Sequence, residues 1–115
     1  MKRGEVFIAE LTPRSGSEQT GRRPVVIISN DGFNLTPNWR SIIVVPLSTS
    51  TSQALRTQTA ILIPQGEGGL LQNSVALCHQ VTTLDRSKLS QRLGELTVIK
   101  MSQIERGLKA ALDLI

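Results

Sequence analysis

The sequence predicts a mainly β fold with a C-terminal helix (α+β), arranged as a small barrel. Three observations carry that expectation. Short runs rich in Val and Ile alternate with polar turn clusters over the first two-thirds of the chain, and helical periodicity is confined to the end. The length, 115 residues, suffices for one core and not for two, so a single domain over residues 1–115 is expected. Residues Glu5 to Leu11, Pro24 to Ser29, Ser41 to Leu47, Gln58 to Ile63 and Ser74 to Val81 read as strands. The segments between them, Thr12 to Gly21, Asn30 to Arg40, Leu47 to Thr57 and Pro64 to Asn73, hold most of the Gly, Pro, Asn and Ser and read as loops, where binding groups collect. Asp85 is placed as the cap of a short helix through about Leu93, broken by Gly94. Met101, Ile104, Leu108, Ala111, Leu112 and Ile115 share one helical face, and Ser102 with Glu105 has the S-x-x-E spacing of a capping box. That helix is expected to pack on the barrel or on a second subunit.

Lysine and arginine number 13 against 9 acidic residues, a formal charge of +4. A basic excess suits an anionic partner, and it equally serves solubility. Arg14, Arg22, Arg23, Arg40 and Arg56 lie in or beside loops of the first half, where folding could gather them into a phosphate track. Phe7, Phe33 and Trp39 are the only aromatic residues, too few for an extended base-stacking platform, although Phe33 or Trp39 could stack one base. One cysteine, Cys78, cannot form an internal disulfide or a multi-thiol zinc site, and one histidine argues against a His-based metal site, so no metal or cofactor is expected. No apolar run approaches a membrane span, and Met1-Lys2-Arg3-Gly4-Glu5 leads into a strand without an apolar signal region, so a cytoplasmic location is expected.

The most informative stretch runs from Gly16 to Ile28. A polar loop, Gly16-Ser17-Glu18-Gln19-Thr20-Gly21, leads straight into Arg22-Arg23-Pro24 and an apolar β-branched run. Pro24 fixes its own φ and drives Arg23 towards an extended conformation, so the loop can reshape around a ligand while Arg23 stays anchored by the strand behind it.

Taken in order, Arg3-Gly4-Glu5-Val6, Gly16-Ser17-Glu18-Gln19, Gly21-Arg22-Arg23-Pro24-Val25-Val26-Ile27, Val45-Pro46-Leu47-Ser48 and Gln80-Val81-Thr82-Thr83-Leu84-Asp85 resemble the motif series of the MazF/PemK toxins along nearly the whole chain. The resemblance implies an SH3-like small barrel of the PemK/CcdB type with a C-terminal helix and a homodimer. It also implies a metal-independent, sequence-specific endoribonuclease that cuts single-stranded RNA. It further implies a cognate MazE-like antitoxin whose acidic C-terminal segment lies across the RNA groove.

Cleaving RNA without a metal requires the neighbouring 2′-hydroxyl to attack phosphorus, so a site must remove one proton, donate another and stabilise phosphoryl charge. Arg23 aligns with the family's catalytic arginine and suits charge stabilisation, its planar fork matching a phosphate; a strand-edge ion pair with Glu18 or Glu10 is the structural alternative. Ser48 stands where relatives carry a phosphate-contacting threonine, and Thr49 follows it, so either could make the contact; the run Ser48 to Ser52 could also be a plain solvated loop. His79 replaces a common Asp or Glu, and imidazole titrates near neutrality, so it could act as general acid or base or be a hydrogen-bonded structural group. Glu18 could orient Arg23 or accept a proton, while Gln19, Gln80, Arg22 and Arg56 are candidate RNA contacts. Cys78 reads as an apolar strand residue rather than a nucleophile. Two other functions fit the same fold: a non-catalytic CcdB-like inhibitor that binds a protein such as gyrase, and an RNA-binding remnant of the toxin.

Overall fold

The computed structural model of the chain describes residues 1–12, 15–55 and 57–115. Arg14 and Arg56 of the expected basic track therefore lie outside the described residues. The strands are β1 (Glu5–Glu10), β2 (Arg22–Ile27), β3 (Ser41–Ser48), β4 (Ala60–Ile63), β5 (Ser74–Leu77), β6 (Thr82–Asp85) and β7 (Leu89–Glu95), with helices α1 (Asp31–Asn34) and α2 (Val98–Leu112). All strand pairs are antiparallel, in the order β4-β5-β3-β2-β1-β7, with β6 also on β3. The two ends of that order do not pair, so the sheet curls into a barrel-like shape without closing.

Strand β3 organises the sheet. Its first half pairs with β6 (Val44 opposite Thr82) and its last two residues with β5 (Ser48 opposite Val75), so β5 and β6 run in line along one edge of it. The single strand expected over Ser74 to Val81 is thereby divided. A 3₁₀ turn, Cys78–Gln80, separates β5 from β6 and pushes His79 outward.

Apolar side chains bury both faces of the central strands. Along β2, Val26 joins a cluster with Val6, Val45, Leu47, Cys78 and Ile104, whereas Val25 and Ile27 join a second one with Ala9, Leu11, Ile42, Val44 and Leu84. Successive strand residues point to opposite faces, so one core lies under α2 and the other on the opposite side of the sheet. This explains why Val25, Val26 and Ile27 are all 0% exposed and why the strands read as continuous apolar runs rather than alternating ones.

Two expectations are corrected. Residues from Asp85 to Leu93 do not form a helix. The Asp85 carboxylate accepts from the Ser87 amide (2.9 Å) and caps only the turn Arg86–Lys88, after which β7 pairs with β1. The i, i+4 spacing of Leu89 and Leu93 suits a helix, but register shifts in the β1–β7 ladder send Leu89 to one core and Leu93 to the other. Gly94 does not stop a helix. A Cβ there would lie 2.6 Å from the Gly68 carbonyl carbon, so the residue lets β7 press against the turn at Glu67–Gly69. The second correction concerns α2, which begins at Val98, with Thr97 as the cap accepting from the Lys100 amide (3.3 Å). Ser102 and Glu105 lie inside the helix, and Glu105 pairs with Arg3 at 3.2 Å. Val98 and Ile99 are exposed, which is why apolar periodicity alone starts the helix a turn late.

The segment 30–40, expected as loop, contains α1, capped by the Asn30 side chain. Arg86 gathers it from below, donating to the carbonyls of Trp39 (2.8 Å), Phe33 (3.2 Å), Asn34 (3.1 Å) and Thr36 (3.1 Å). Phe33 and Trp39 stack with centroids 4.5 Å apart. Half-exposed, each already covers one face of the other.

Candidate active site

The loop between β1 and β2 leaves the sheet at Leu11, whose side chain belongs to the Val25/Ile27 core, and returns at Gly21. Gly16 and Gly21 adopt positive φ (+66° and +80°), and the Leu11 amide donates to the Gly21 carbonyl (2.9 Å) to close the base of the loop. The loop then reaches the turn after β5. The Gln19 amide donates to Gln80 Oε1 (2.8 Å), and Gln80 Nε2 donates to the Ser17 carbonyl (3.1 Å). Both polar ends of the Gln80 side chain are thus engaged by loop backbone. The loop consequently roofs the sheet face opposite α2.

Arg23 is half-buried beneath the returning limb of that loop, its Nε donating to the Thr20 carbonyl (3.0 Å). Neither Glu18 nor Glu10 is its ion-pair partner among the described contacts. Across β1, Glu10 sits opposite Arg22; its carboxyl lies below the usual range, chiefly through the Thr12 hydroxyl and amide, with Arg22 a smaller influence. Alternation along β2 puts Arg22 with Pro24 and Val26, on the other face from Arg23, so the arginine doublet does not act as one patch.

The same alternation separates Ser48 from Thr49. The β2–β3 ladder ends with Val25 opposite Pro46, and Arg23 and Ser48 each lie two residues further on, hence on the face of Val25. Ser48 is 7% exposed, and its Oγ accepts from the Ser50 amide (3.1 Å), fixing the rotamer while leaving its O–H to donate. Thr49 is exposed and lines a different groove, with Pro24, Ile8, Leu70 and Leu93.

His79 is exposed on a rigid turn. Its neighbour Cys78 is buried, the Cys78 amide donates to the Thr59 carbonyl (2.9 Å), and Sγ lies 3.7 Å from the Ile104 carbonyl of α2. His79 Nδ1 is hydrogen-bonded to Thr59 Oγ1 (3.0 Å), which in turn meets Thr57 Oγ1 (3.1 Å). That contact leaves Nε2 for other partners. A cavity of about 320 Å³ is lined by His79, Gln80, Val81 and Thr82 on one side and by Ser17 and Glu18 on the other. Glu18 and Thr82 also line the adjoining cavity towards Lys88. Among the described residues, Gln19 Oε1 is buried with no hydrogen-bond partner. Burial pushes the Cys78 thiol up to about 12, so it is an inert core group. Arg40 is paired with Asp85 (2.8 Å), which holds that carboxyl well below its ordinary range, and does not join Arg23.

The β1–β2 loop touches Arg23 through Thr20 and Gln80 through Ser17 and Gln19, it shares a cavity with His79 through Glu18, and Ser48 shares the sheet face of Arg23; no described contact joins Arg23, Ser48 and His79 directly. Arg22, Thr49 and Arg40 take no part in these contacts. Thr59 was missed by sequence reasoning, since a threonine at the start of an apolar run carries no sign that a histidine 20 residues away bonds to it.

Comparisons with known proteins bear on the family and the fold. The family model for PemK-like, MazF-like toxins of type II toxin-antitoxin systems matches residues 2–112. An endoribonuclease MazF from Staphylococcus saprophyticus is 35% identical over 114 residues, covering 99% of this chain and 92% of that protein. Among solved structures, MazF from Deinococcus radiodurans superposes with a TM-score of 0.80 at 23% identity over 99% of this chain and 97% of that one. A mycobacterial endoribonuclease in complex with its cognate antitoxin superposes at 0.72 with 26% identity, over 98% and 93% of the two chains. Motif order, sheet topology and the near-complete coverage all lead to one assignment: the chain belongs to the PemK-like, MazF-like toxin family of type II toxin-antitoxin systems.

Proposed function

We propose that the endoribonuclease activity of this MazF-type toxin resides under the β1–β2 loop and proceeds without a metal, by attack of a ribose 2′-hydroxyl on the adjacent phosphodiester of single-stranded RNA. The observation that carries this reading is the setting of Arg23. Its Nε is taken by the Thr20 carbonyl, so the guanidinium is oriented and its two terminal nitrogens remain as a fork for phosphoryl oxygens, on the sheet face it shares with Ser48.

In the step proposed, the 2′-oxygen bonds to phosphorus as the P–O5′ bond breaks. His79 Nε2 either takes the 2′-hydroxyl proton while water protonates the departing 5′-oxygen, or protonates that oxygen while water takes the 2′-hydroxyl proton; its ring is held at Nδ1 by Thr59. Arg23 stabilises the charge on the non-bridging oxygens, and the Ser48 hydroxyl donates to one of them. The products are a 2′,3′-cyclic phosphate and a 5′-hydroxyl. Gln19 and Glu18, on the loop, meet the bases or backbone and contribute to the choice of sequence.

The partners follow from the same groove. The mycobacterial relative was solved with its cognate antitoxin, and a chain of net charge +4 suits an acidic MazE-like segment competing with RNA for this cleft. The working form is a cytoplasmic homodimer of one domain per chain. Incubating the purified protein with labelled single-stranded RNA in EDTA tests the proposal. Cleavage with cyclic-phosphate and 5′-hydroxyl ends is expected; binding without cleavage would identify an RNA-binding remnant, and toxicity unaffected by Arg23→Ala would indicate a CcdB-like inhibitor.

A further inference from the structure

We infer that Gln80 is a positioning residue for Arg23, acting through the backbone of the β1–β2 loop rather than by touching RNA; the inference rests on the reading of Arg23 given above. The geometry is a chain of hydrogen bonds. The two ends of one side-chain amide hold two loop residues, the Gln19 N–H at 2.8 Å and the Ser17 carbonyl at 3.1 Å. Donor and acceptor are matched at both contacts, so only one orientation of the amide satisfies both. Thr20, next along the loop, presents its carbonyl to Arg23 Nε at 3.0 Å. Between the two clamped residues stands Glu18, facing His79 across the cavity.

Residues Ser15 to Gly21 belong to no strand and are mostly exposed. Gly16 and Gly21 add backbone freedom at both limbs. The turn that carries Gln80, by contrast, is anchored in the core through Cys78. Gln80 thus transmits the rigidity of the core to the loop, and the loop transmits it to the guanidinium. A misaligned Arg23 still carries its charge, but its fork no longer meets the phosphoryl oxygens in the geometry the transition state requires.

Two variants separate the contacts. Gln80→Ala removes both; Gln80→Glu keeps the acceptor for Gln19 and loses the donor to Ser17. In NMR spectra of the full chain without RNA, solvent exchange of the Arg23 Nε–H and the Gln19 amide is expected to quicken at least severalfold in Gln80→Ala and less in Gln80→Glu, while the Val26 amide is unchanged. In single-turnover cleavage of a 5′-labelled oligoribonucleotide spanning a site mapped by end sequencing, Gln80→Ala is expected to slow the cleavage step roughly tenfold with RNA affinity within about twofold. Unchanged exchange at Arg23 Nε–H, or a loss confined to affinity, would overturn the inference and return Gln80 to direct RNA contact. The exchange measurement needs no turnover, so it stands even if the protein proves not to cut RNA.

Discussion

Arg23 combines an anchored Nε with a free terminal fork, and no other described arginine does so on this face. Arg23→Ala is expected to lower cleavage by roughly 10²–10³-fold or more, the scale of losing a charge stabiliser, with an unchanged circular dichroism spectrum. Ser48→Ala should cost more activity than Thr49→Ala, because only Ser48 shares the face of Arg23; equal losses measured side by side would refute that ordering. His79→Ala is expected to slow cleavage about tenfold to a hundredfold and flatten its pH profile, and a wild-type profile in that variant would exclude proton transfer by His79. Arg23, Ser48 and His79 could be named as candidates from the sequence because each stands in or beside a motif of the family, although Ser48 and His79 depart from its usual residue types. The hydrogen bonds of Gln80 were not legible, since its partners are backbone groups 61 and 63 residues away, and main-chain atoms leave no trace in composition.

At the level of elements, what decided legibility was whether a pattern fits one period or two. The apolar runs of β1 to β4 were each located to within about two residues, whereas the run expected over Ser74 to Val81 passed through β5 and the turn at Cys78–Gln80, because Val81 continues the apolar pattern across it. Strand β7 was misread because Leu89 and Leu93 satisfy a helical spacing, and only the pairing of β1 with β7 reveals the bulges. The packing of α2 makes a prediction of its own. A Cβ on Gly107 would lie 2.7 Å from Cys78 Sγ and 3.3 Å from Ile61, so the helix approaches the turn bearing His79 through a glycine. Gly107→Ala gains about 1 kcal/mol of helix propensity. Against that gain, overpacking costs roughly 1–3 kcal/mol. A net lower midpoint in urea is expected, largely restored by adding Cys78→Ala; if Gly107→Ala is stabilising by itself, the contact is softer than the structure indicates.

For the molecule as a whole, acid is the vulnerable direction. Burial raises the Glu5 carboxyl, but the hydrogen bonds from Arg92 and the Lys2 amide outweigh it and leave the group below its ordinary 4.5. Asp85, held by Arg40 and Ser87, and Asp31, held by the Arg3 amide and Asn34, are lowered as well. Because these folded-state values lie below the unfolded ones, the stabilisation is complete above the ordinary carboxylate range and is lost as pH falls through the lower values. Thermal scans should show Tm dropping by about 5–10 °C between pH 5 and pH 3, and less in Glu5→Gln, whose amide has no proton to gain.

Strands lined with aliphatic side chains on both surfaces have an unusual tolerance. Sliding β2 by one position against β3 would move each valine into the other reservoir instead of into solvent, so hydrophobicity opposes the error less than on a sheet with one wet face. Hydrophobicity therefore says little about alignment here, and the hydrophilic terminus of each strand, Arg23 on one and Ser48 on the other, has to say the rest. On the proposed reading, the two side chains that would meet a phosphodiester are also the ones that mark the alignment of the ribbons. A population folded one notch out would repack both reservoirs and carry Arg23 away from Ser48, so it should show a lower melting temperature together with lost turnover.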